Sequence, residues 1–501
     1  MRVPVAAVQF EPRFADKEYN VLKLKELTEQ AAHAGARLVV LPEMATTGYC
    51  FRNREEIAPL VEPIPGGPTI SVFTELAARH GIYVVIGMPE AEPATGAFYN
   101  TAALLGPGGY IGKYRKTHSY IDETRWARDG DLGIPVFPTE VGRIAMVICM
   151  DNAYFEPARV ATLAGAEILA FPTNWLGQQD AWRARAMENG VYVVAANRWG
   201  QERGAVFCGN SAVIDPSGRD LNLMPSGDGV VLADVETDLA RAARTVALSR
   251  RQPEQYQELL ISSYLWHWGD AQRLPPGRPV VAAAGTAVDL ERMVDQVRWA
   301  DKRARDRGWP KLDLAVFPWC DQLPDPGALA ELARTLGCYL VWGAPEEGGY
   351  STAWLTGPEG PVGCYRQLHA EPGSRAGDRF AVFDLPWGRL GLLVDGDLLV
   401  PEAARILAKR GADLVAVPTR WAVGSDRLIW SERCNENNTP LVVADAAGSG
   451  VYQPVRPRAT LVEVPGEMAL ALVDTGAEAI RAKELLRKLQ PRWYDSLVLS
   501  R

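Results

Sequence analysis

The sequence predicts an α/β protein that contains one fold written twice, each copy a two-sheet sandwich with outer helices. Three observations predict it. Short apolar runs alternate with amphipathic helical segments, the pattern of buried strands covered by helices. Each half holds two successive sets of such runs, enough for two packed sheets. The text of the first half also recurs in the second with a period of about 245 residues, too long for a solenoid unit and therefore a domain duplication.

Taken in order, VPVAAVQF (3–10) reads as the first strand. The next segment, 19–36, carries Leu22, Leu24, Leu27 and Ala31 at helical spacing, with Gly35 behind them to stop the helix. RLVVLPE (37–43) is a strand, ISVFTELAARHG (70–81) a helix ending near Gly81, and IYVVIGM (82–88) a strand. FYNTAALLG and GYIGKYRK then form a hairpin about Pro107-Gly108-Gly109. RIAMVICM (143–150) is a strand, PARVATLAGA (157–166) a helix and EILAFPTNW (167–175) a strand.

The second copy can be followed against the first. RVPVAAVQF matches RPVVAAAG, ELAARHGIYVVIG matches ELARTLGCYLVWG, and AGAEILAFPTNW matches RGADLVAVPTRW. RQPEQYQEL near Tyr256 matches KLQPRWYDSL near Tyr494. The proline-rich, polar stretch QRLPPGRP suits a linker. The expected organisation is a first domain at 1–271, a linker at 272–279 and a second domain at 280–501.

Composition narrows the function classes. The 501 residues carry a formal charge of −8, with no basic stripe and no interleaved aromatic and basic run, so no nucleic-acid partner is expected. No stretch approaches the ~18 uncharged apolar residues of a membrane span, and none is expected. Seven scattered cysteines without a CxxC pair argue against a disulfide framework or zinc site and fit a reducing cytoplasm. His33, His80, His118, His267 and His369 show no metal-ligand spacing. GPGGYIGKYRK lacks the glycine and Ser/Thr of a phosphate loop, having Pro107 and Tyr114 there. The aromatic cluster LWHWGD (265–270) reads as packing between the halves or as a partner site.

The chemistry lies where the copies disagree. RLVVLPEMATTGY, GKYRKTH and GRIAMVICMDNAYFEPAR stand opposite DLAVFPWCDQ, GCYRQLH and GRLGLLVDGDLLVPEAAR. Glu43, Lys116 and Cys149 thereby face Trp319, Gln367 and Asp395. A strand-end cysteine before a turn exposes its sulfur, and a thiol near a cation is partly ionised and nucleophilic. Lys116 supplies the cation and a charge for a developing oxyanion. Glu43, at the end of a buried strand, moves protons if burial raises its pKa. Singly, these residues read as a packing cysteine, a basic hairpin edge and a solvated loop charge. Together, in order and all replaced in the sister copy, they read as a reactive set. The second copy also shortens the interval between its first two motifs from 73 residues to 48, losing a segment like GYCFRNREEIAPLVEPIPGGP that suits a pocket wall.

The three motifs together closely resemble the nitrilase, or carbon–nitrogen hydrolase, superfamily, over essentially the whole chain and more strongly in the first copy. The resemblance implies an αββα sandwich in each copy and a Glu43-Lys116-Cys149 catalytic set. It implies attack of Cys149 on an amide carbonyl, an oxyanion held by Lys116 and the N–H of Met150, and a thioester hydrolysed with no metal or organic cofactor. Two such sandwiches normally pair, so the chain is expected to carry its dimer partner covalently as an intrachain pseudo-dimer, which either stops at one chain or associates further. The family places a second glutamate after the lysine. Glu123 stands there, with Asp122 as competitor and a loop carboxylate beside Arg125 as the plainer reading. Cys-Met-Asp resembles amide hydrolases more than the Cys-Trp-Glu of nitrile hydrolases, which favours a small-molecule amide or N-carbamoyl substrate. A nitrile hydrolase, an acyltransferase and a non-catalytic binding or regulatory protein are the rivals. Tyr154, Trp175 and Trp126 line the pocket or serve as packing. Glu188, repeated as Glu436, is expected to be scaffold, as are His118 and His369. Phe155-Glu156-Pro157 inverts the family's usual Phe-Pro-Glu order.

Overall fold

In the computed structural model, residues 1–177, 180–262, 274–286, 289–420, 426–455, 458–462 and 467–499 are described. The LWHWGD cluster and part of the expected linker lie outside them. The chain divides into two compact units, Met1–Ser249 and Arg250–Arg501, so the break in packing falls ahead of the proline-rich linker.

The first unit contains two six-stranded sheets. Its strands are β1 (Arg2–Gln9), β2 (Leu38–Val40), β3 (Tyr83–Ala91), β4 (Phe98–Gly106), β5 (Gly109–Arg115), β6 (Val136–Thr139), β7 (Gly142–Met146), β8 (Ile168–Thr173) and β9 (Tyr192–Asn197). They continue with β10 (Trp199–Glu202), β11 (Ala205–Cys208), β12 (Ser211–Ile214), β13 (Asp220–Met224) and β14 (Gly229–Glu236). One sheet runs β14-β1-β2-β3-β4-β5 and the other β13-β12-β9-β8-β7-β6, while β10 and β11 form a separate hairpin. Within the sheets β1, β2 and β3 are parallel, as are β7, β8 and β9.

Side-chain alternation along these strands builds the layers. Val5, Ala7, Val40 and Val85 of one sheet pack with Ile144, Met146, Ala170 and Val194 of the other. The opposite face of the first sheet, with Ala6, Val8, Val39 and Val84, packs on Leu24, Leu27 and Ala31 of α1 (Lys17–His33) and Phe73 and Leu76 of α2 (Pro68–His80). The outer face of the second sheet, with Val147, Leu169 and Val193, packs on Ala158 and Ala161 of α3 (Phe155–Leu163) and Trp182 and Ala186 of α4 (Asp180–Asn189). This is the α-β-β-α layering that the periodicity and the resemblance implied. The expected hairpin forms with Gly106 opposite Gly109. The α2 helix ends where Gly81 turns left-handed at φ 64°, a conformation that favours glycine.

The second unit repeats the plan with two more six-stranded sheets. Helices α5 (Leu290–Asp306) and α6 (Pro326–Leu336) cover one of them through Met293, Val297, Ala300, Leu329 and Ala333. The segment after Ser249 packs into this unit: Tyr256 Oη lies 2.8 Å from His369 Nε2, and Arg251 Nε donates to Glu402 at 2.9 Å. Among the described residues no helix is long and apolar enough to cross a membrane.

Candidate active site

Three of the expected residues follow strands of the first unit, and a fourth lies in the loop beyond β5. Glu43 follows β2, Lys116 follows β5 and Cys149 follows β7, with Glu123 opening a short 3₁₀ turn after β5. Carboxyl ends of parallel strands are where α/β sheets present ligand-binding groups. The backbone is strained at two of these points: Met44, next to Glu43, has φ 50° and Cys149 has φ 43°. Non-glycine residues in this left-handed region cost of order 1–3 kcal/mol, and such strain gathers at functional sites. Gly87 of β3 lets Glu43 sit close, because a Cβ there would meet the Glu43 Cα at 2.6 Å.

The side chains converge in a buried cluster. Lys116 Nζ donates to Glu43 Oε1 at 2.8 Å and to Glu123 Oε1 and Oε2 at 2.9 and 2.8 Å. Glu123 Oε2 also accepts the Tyr120 N–H at 2.6 Å. Asp122 is half exposed and pairs with Arg125 at 3.4 Å, while Glu123 joins Glu43 as the second carboxylate of the cluster. Glu43, Lys116 and Glu123 are each no more than 1 % exposed. Glu43 Oε2 is buried and has no hydrogen-bond partner among the described residues.

Burial pushes the Glu43 carboxyl up to about 7, with Lys116 pulling it down and Glu123 pushing it further up. Burial also opposes the Lys116 charge, but Glu123 and Glu43 outweigh it and hold the ammonium well above its usual pKa. Cys149 differs from the sequence expectation of a partly ionised thiol. Burial and then Glu43 raise its pKa beyond the relief given by Lys116 and by the Asn174 peptide N–H. The sulfur is therefore held toward the neutral thiol.

The Met150 N–H, at the start of the 3₁₀ turn Cys149–Ala153, makes no hydrogen bond among the described residues. It is thus free for a ligand oxygen. Trp175 is partly buried and packs against the cluster that contains Cys149. Trp126 belongs to a separate aromatic group with Tyr49, Phe51, Phe98 and Phe207, and its Nε1 is buried without a partner among the described residues. Tyr154 is fully buried and stacks on His118 with ring centroids 4.0 Å apart.

Sequence reading missed three asparagines. Asn100 Nδ2 donates to Glu43 Oε1 at 2.7 Å and to Glu123 Oε1 at 2.5 Å. Asn152 and Asn174 each keep a whole side-chain amide buried without a partner among the described residues. A single asparagine in apolar text carries no signal, but comparison of the copies would have raised all three, since Ser351, Leu398 and Arg420 replace them. Also missed was a clamp: Glu202 Oε1 accepts the Tyr49 N–H at 2.8 Å while its Oε2 pairs with Arg198 at 2.7 Å. It ties the segment after Glu43 to the β10–β11 hairpin.

Several motif residues prove to be framework. Asp151 accepts from Tyr114 Oη (2.8 Å), Thr117 Oγ1 (2.9 Å), His118 N (3.0 Å) and Ile148 N (3.0 Å), and lies 2.9 Å from His118 Nδ1. The second unit rebuilds this around Asp397 with Tyr365 (2.9 Å), His369 N (3.1 Å), Val394 N (3.0 Å) and His369 Nδ1 (2.7 Å). Arg185–Glu188 and Arg433–Glu436 likewise both pair at 2.6 Å.

Comparison with known proteins agrees with this duplication. The carbon-nitrogen hydrolase family profile matches residues 4–245 and again 321–454. A nitrilase of Pyrococcus abyssi is 39% identical over 246 residues, covering 48% of this chain and 93% of that protein. An N-carbamoylputrescine amidase of Solanum lycopersicum is 32% identical over 289 residues, covering 52% and 95%. The crystal structure of an amidase from Nesterenkonia sp. aligns at 27% identity over 50% of this chain and 95% of its own, with a TM-score of 0.43. The chain belongs to the carbon-nitrogen hydrolase family.

Proposed function

We propose that this C–N bond hydrolase cleaves a small amide or N-carbamoyl compound at one site in the first unit, through a thioester on Cys149. The observation that carries the reading is the one uncommitted carboxylate oxygen among the described residues of the cluster, Glu43 Oε2, where the other carboxylate oxygens are already held. In this reading Glu43 takes the Cys149 proton as the sulfur attacks the carbonyl carbon. The displaced electron pair becomes an oxyanion held by the Lys116 charge and the Met150 N–H. Collapse breaks the C–N bond, and Glu43 gives its proton to the departing ammonia or amine. Glu43 then deprotonates water, which attacks the thioester, and the thiolate leaves and is reprotonated. A Glu43 carboxyl near 7 suits both directions of transfer.

Two further observations support an amide over a nitrile. Asn174, whose peptide N–H eases the Cys149 charge, has both the donor and the acceptor of its side chain unused, and so does Asn152. An amide or carbamoyl group offers a donor and an acceptor in return, whereas a nitrile offers only an acceptor. The Cys-Met-Asp motif carries less weight, because Asp151 is framework retained as Asp397. The test compares amides, carbamoyl compounds and matching nitriles with intact-protein mass spectrometry, using Cys149→Ala as control. An acyl adduct lost in the control, with amides outpacing nitriles, is expected. Faster nitrile turnover overturns the substrate assignment, and turnover by Cys149→Ala overturns the nucleophile.

A further inference from the structure

The duplicated chain supplies its own control for sorting framework from chemistry. Groups present in both copies at equivalent points serve the fold: Asp151 and Asp397, His118 and His369, and Thr101 and Thr352, whose hydroxyls donate to Glu90 at 2.8 Å and to Glu346 at 2.7 Å. Groups replaced only in the second copy include Glu43, Lys116 and Cys149. Asn100 falls in the second class. The backbone fixes its counterpart: the Lys116 N–H donates to the Asn100 carbonyl at 2.9 Å, and the Gln367 N–H donates to the Ser351 carbonyl at 2.8 Å. The fold therefore accepts serine at this point, and a buried asparagine is kept only where two carboxylates must be held.

Asn100 Nδ2 bridges Glu43 Oε1 at 2.7 Å and Glu123 Oε1 at 2.5 Å. The amide orientation is set by these contacts, since turning it would place Oδ1 against two carboxylate oxygens. With Lys116 on the same atoms, both Oε1 oxygens are occupied, and Glu123 Oε2 is taken by Lys116 and Tyr120. Lys116 alone brings one positive charge to two carboxylates. The Asn100 N–H groups supply the remaining stabilisation and pin the carboxyl plane of Glu43, which leaves Oε2 as the oxygen available for proton transfer.

We infer that Asn100 is a positioning residue that fixes Glu43 against Glu123 and so selects Glu43 Oε2 as the proton-transfer atom. This rests on Glu43 being the general base of the proposed reaction. Because these hydrogen bonds favour the ionised carboxylates, their loss raises the Glu43 pKa above its present position near 7.

The experiment is a pH profile of kcat/KM and kcat for wild type, Asn100→Ser and Asn100→Asp, on whichever amide the wild type turns over, with thermal midpoints recorded alongside. Asn100→Ser imports the residue that the sister copy already folds with. It should lower kcat by about 10- to 100-fold with little change in KM, and move the acidic limb of kcat/KM up by about one pH unit, the worth of a charge-assisted hydrogen bond. Asn100→Asp adds a third carboxylate and should move the limb further. An unmoved limb with wild-type kcat in Asn100→Ser overturns the inference. So does a loss of kcat that only tracks a lowered thermal midpoint. Failure of the underlying reading looks different: Glu43→Gln would then keep an acidic limb and most of its activity, whatever Asn100→Ser does.

Discussion

Cys149 and Asp395 occupy the same turn of the same fold, each with φ 43°, yet their surroundings have been rebuilt around opposite needs. At Cys149 the neighbouring polar groups are left open: Glu43 Oε2, the Asn152 and Asn174 amides and the Met150 N–H lack partners among the described residues. At Asp395 the exchanged side chains turn to one another and to the backbone, with Asp395 Oδ2, Gln367 Oε1 and Trp319 Nε1 making no hydrogen bond among the described residues. Asp395 Oδ1 accepts the Arg420 N–H at 2.8 Å, the Arg420 guanidinium lies 3.3 Å from Oδ2, and it stacks over Trp319 at 4.7 Å. Gln367 Nε2 turns to the Val394 carbonyl at 3.2 Å. The strained elbow outlived the nucleophile. It therefore belongs to the framework, with Asp151 and Asp397 bonding the backbone just before it in both units, while the side chains exchanged between the units are the ones the proposed reaction would use.

The largest effect should come from removing the nucleophile. Cys149→Ala should reduce turnover by about 10⁴-fold or more. Cys149→Asp, which imports the sister residue, should be equally inactive. Aspartate tolerates the left-handed region, but at this position it meets Glu43 without the Arg420 that pairs with Asp395, so its thermal midpoint should fall below that of wild type. Residual hydrolysis by either variant would merge the two turns into one structural feature and end the contrast.

Glu43→Gln comes next, with an expected loss of about 10²- to 10⁴-fold in kcat/KM. The wild type should show an acidic limb near 7 that this variant lacks. Stability carries a matching sign. A carboxyl raised from 4.5 to about 7 on folding holds its proton more tightly in the native state, so its stabilising contribution is full below 4.5 and is lost as pH rises through about 7. Glu43→Gln has no such window. Its thermal midpoint relative to wild type should therefore rise between pH 5 and 8, measured by calorimetry on both proteins.

Much of this contrast was legible before any coordinates. The repeat made Glu43, Lys116 and Cys149 visible because apolar text survives around three replaced polar residues, and strand periodicity placed them at sheet ends. The layers followed from apolar runs such as VPVAAVQF alternating with amphipathic helical segments. The thiol's state was not legible, because Cys149 is 7 % exposed and its ionisation depends on a desolvation that spacing does not encode. Asn100, Asn152 and Asn174 were hidden for a related reason: their meaning lies in which partners they have or lack. The aromatic group around Tyr49 and Trp126 was half visible. The missing segment of the second copy pointed to it, but its tie to β10–β11 through Glu202 joins residues about 150 positions apart.

The framework half of the comparison predicts a smaller, symmetrical effect. Asp151→Ala and Asp397→Ala each remove a buried acceptor shared by several donors and should each cost on the order of 3 kcal/mol, read by denaturant unfolding of the full chain. Asp151→Ala should also lower turnover, because it releases the backbone before Cys149. Asp397→Ala should leave turnover intact under conditions where the protein stays folded. Equal damage to activity from both would show that the second copy takes part in the chemistry.

The smallest expected effect is the most exacting test of the second copy. Asp395→Cys, made in the Cys149→Ala background, restores a sulfur to an elbow that already has φ 43°. If backbone geometry made the nucleophile, some turnover would return. None is expected. Trp319 offers no base, Gln367 offers no charge for an oxyanion, and the Arg420 stack lies where Asn174 leaves its amide open. A buried thiol without a base stays protonated, so labelling by iodoacetamide should be slow as well, followed by mass spectrometry over hours. Turnover at position 395 would place the catalytic power in the strained turn itself. Its absence would place that power in the side chains that the second copy has exchanged.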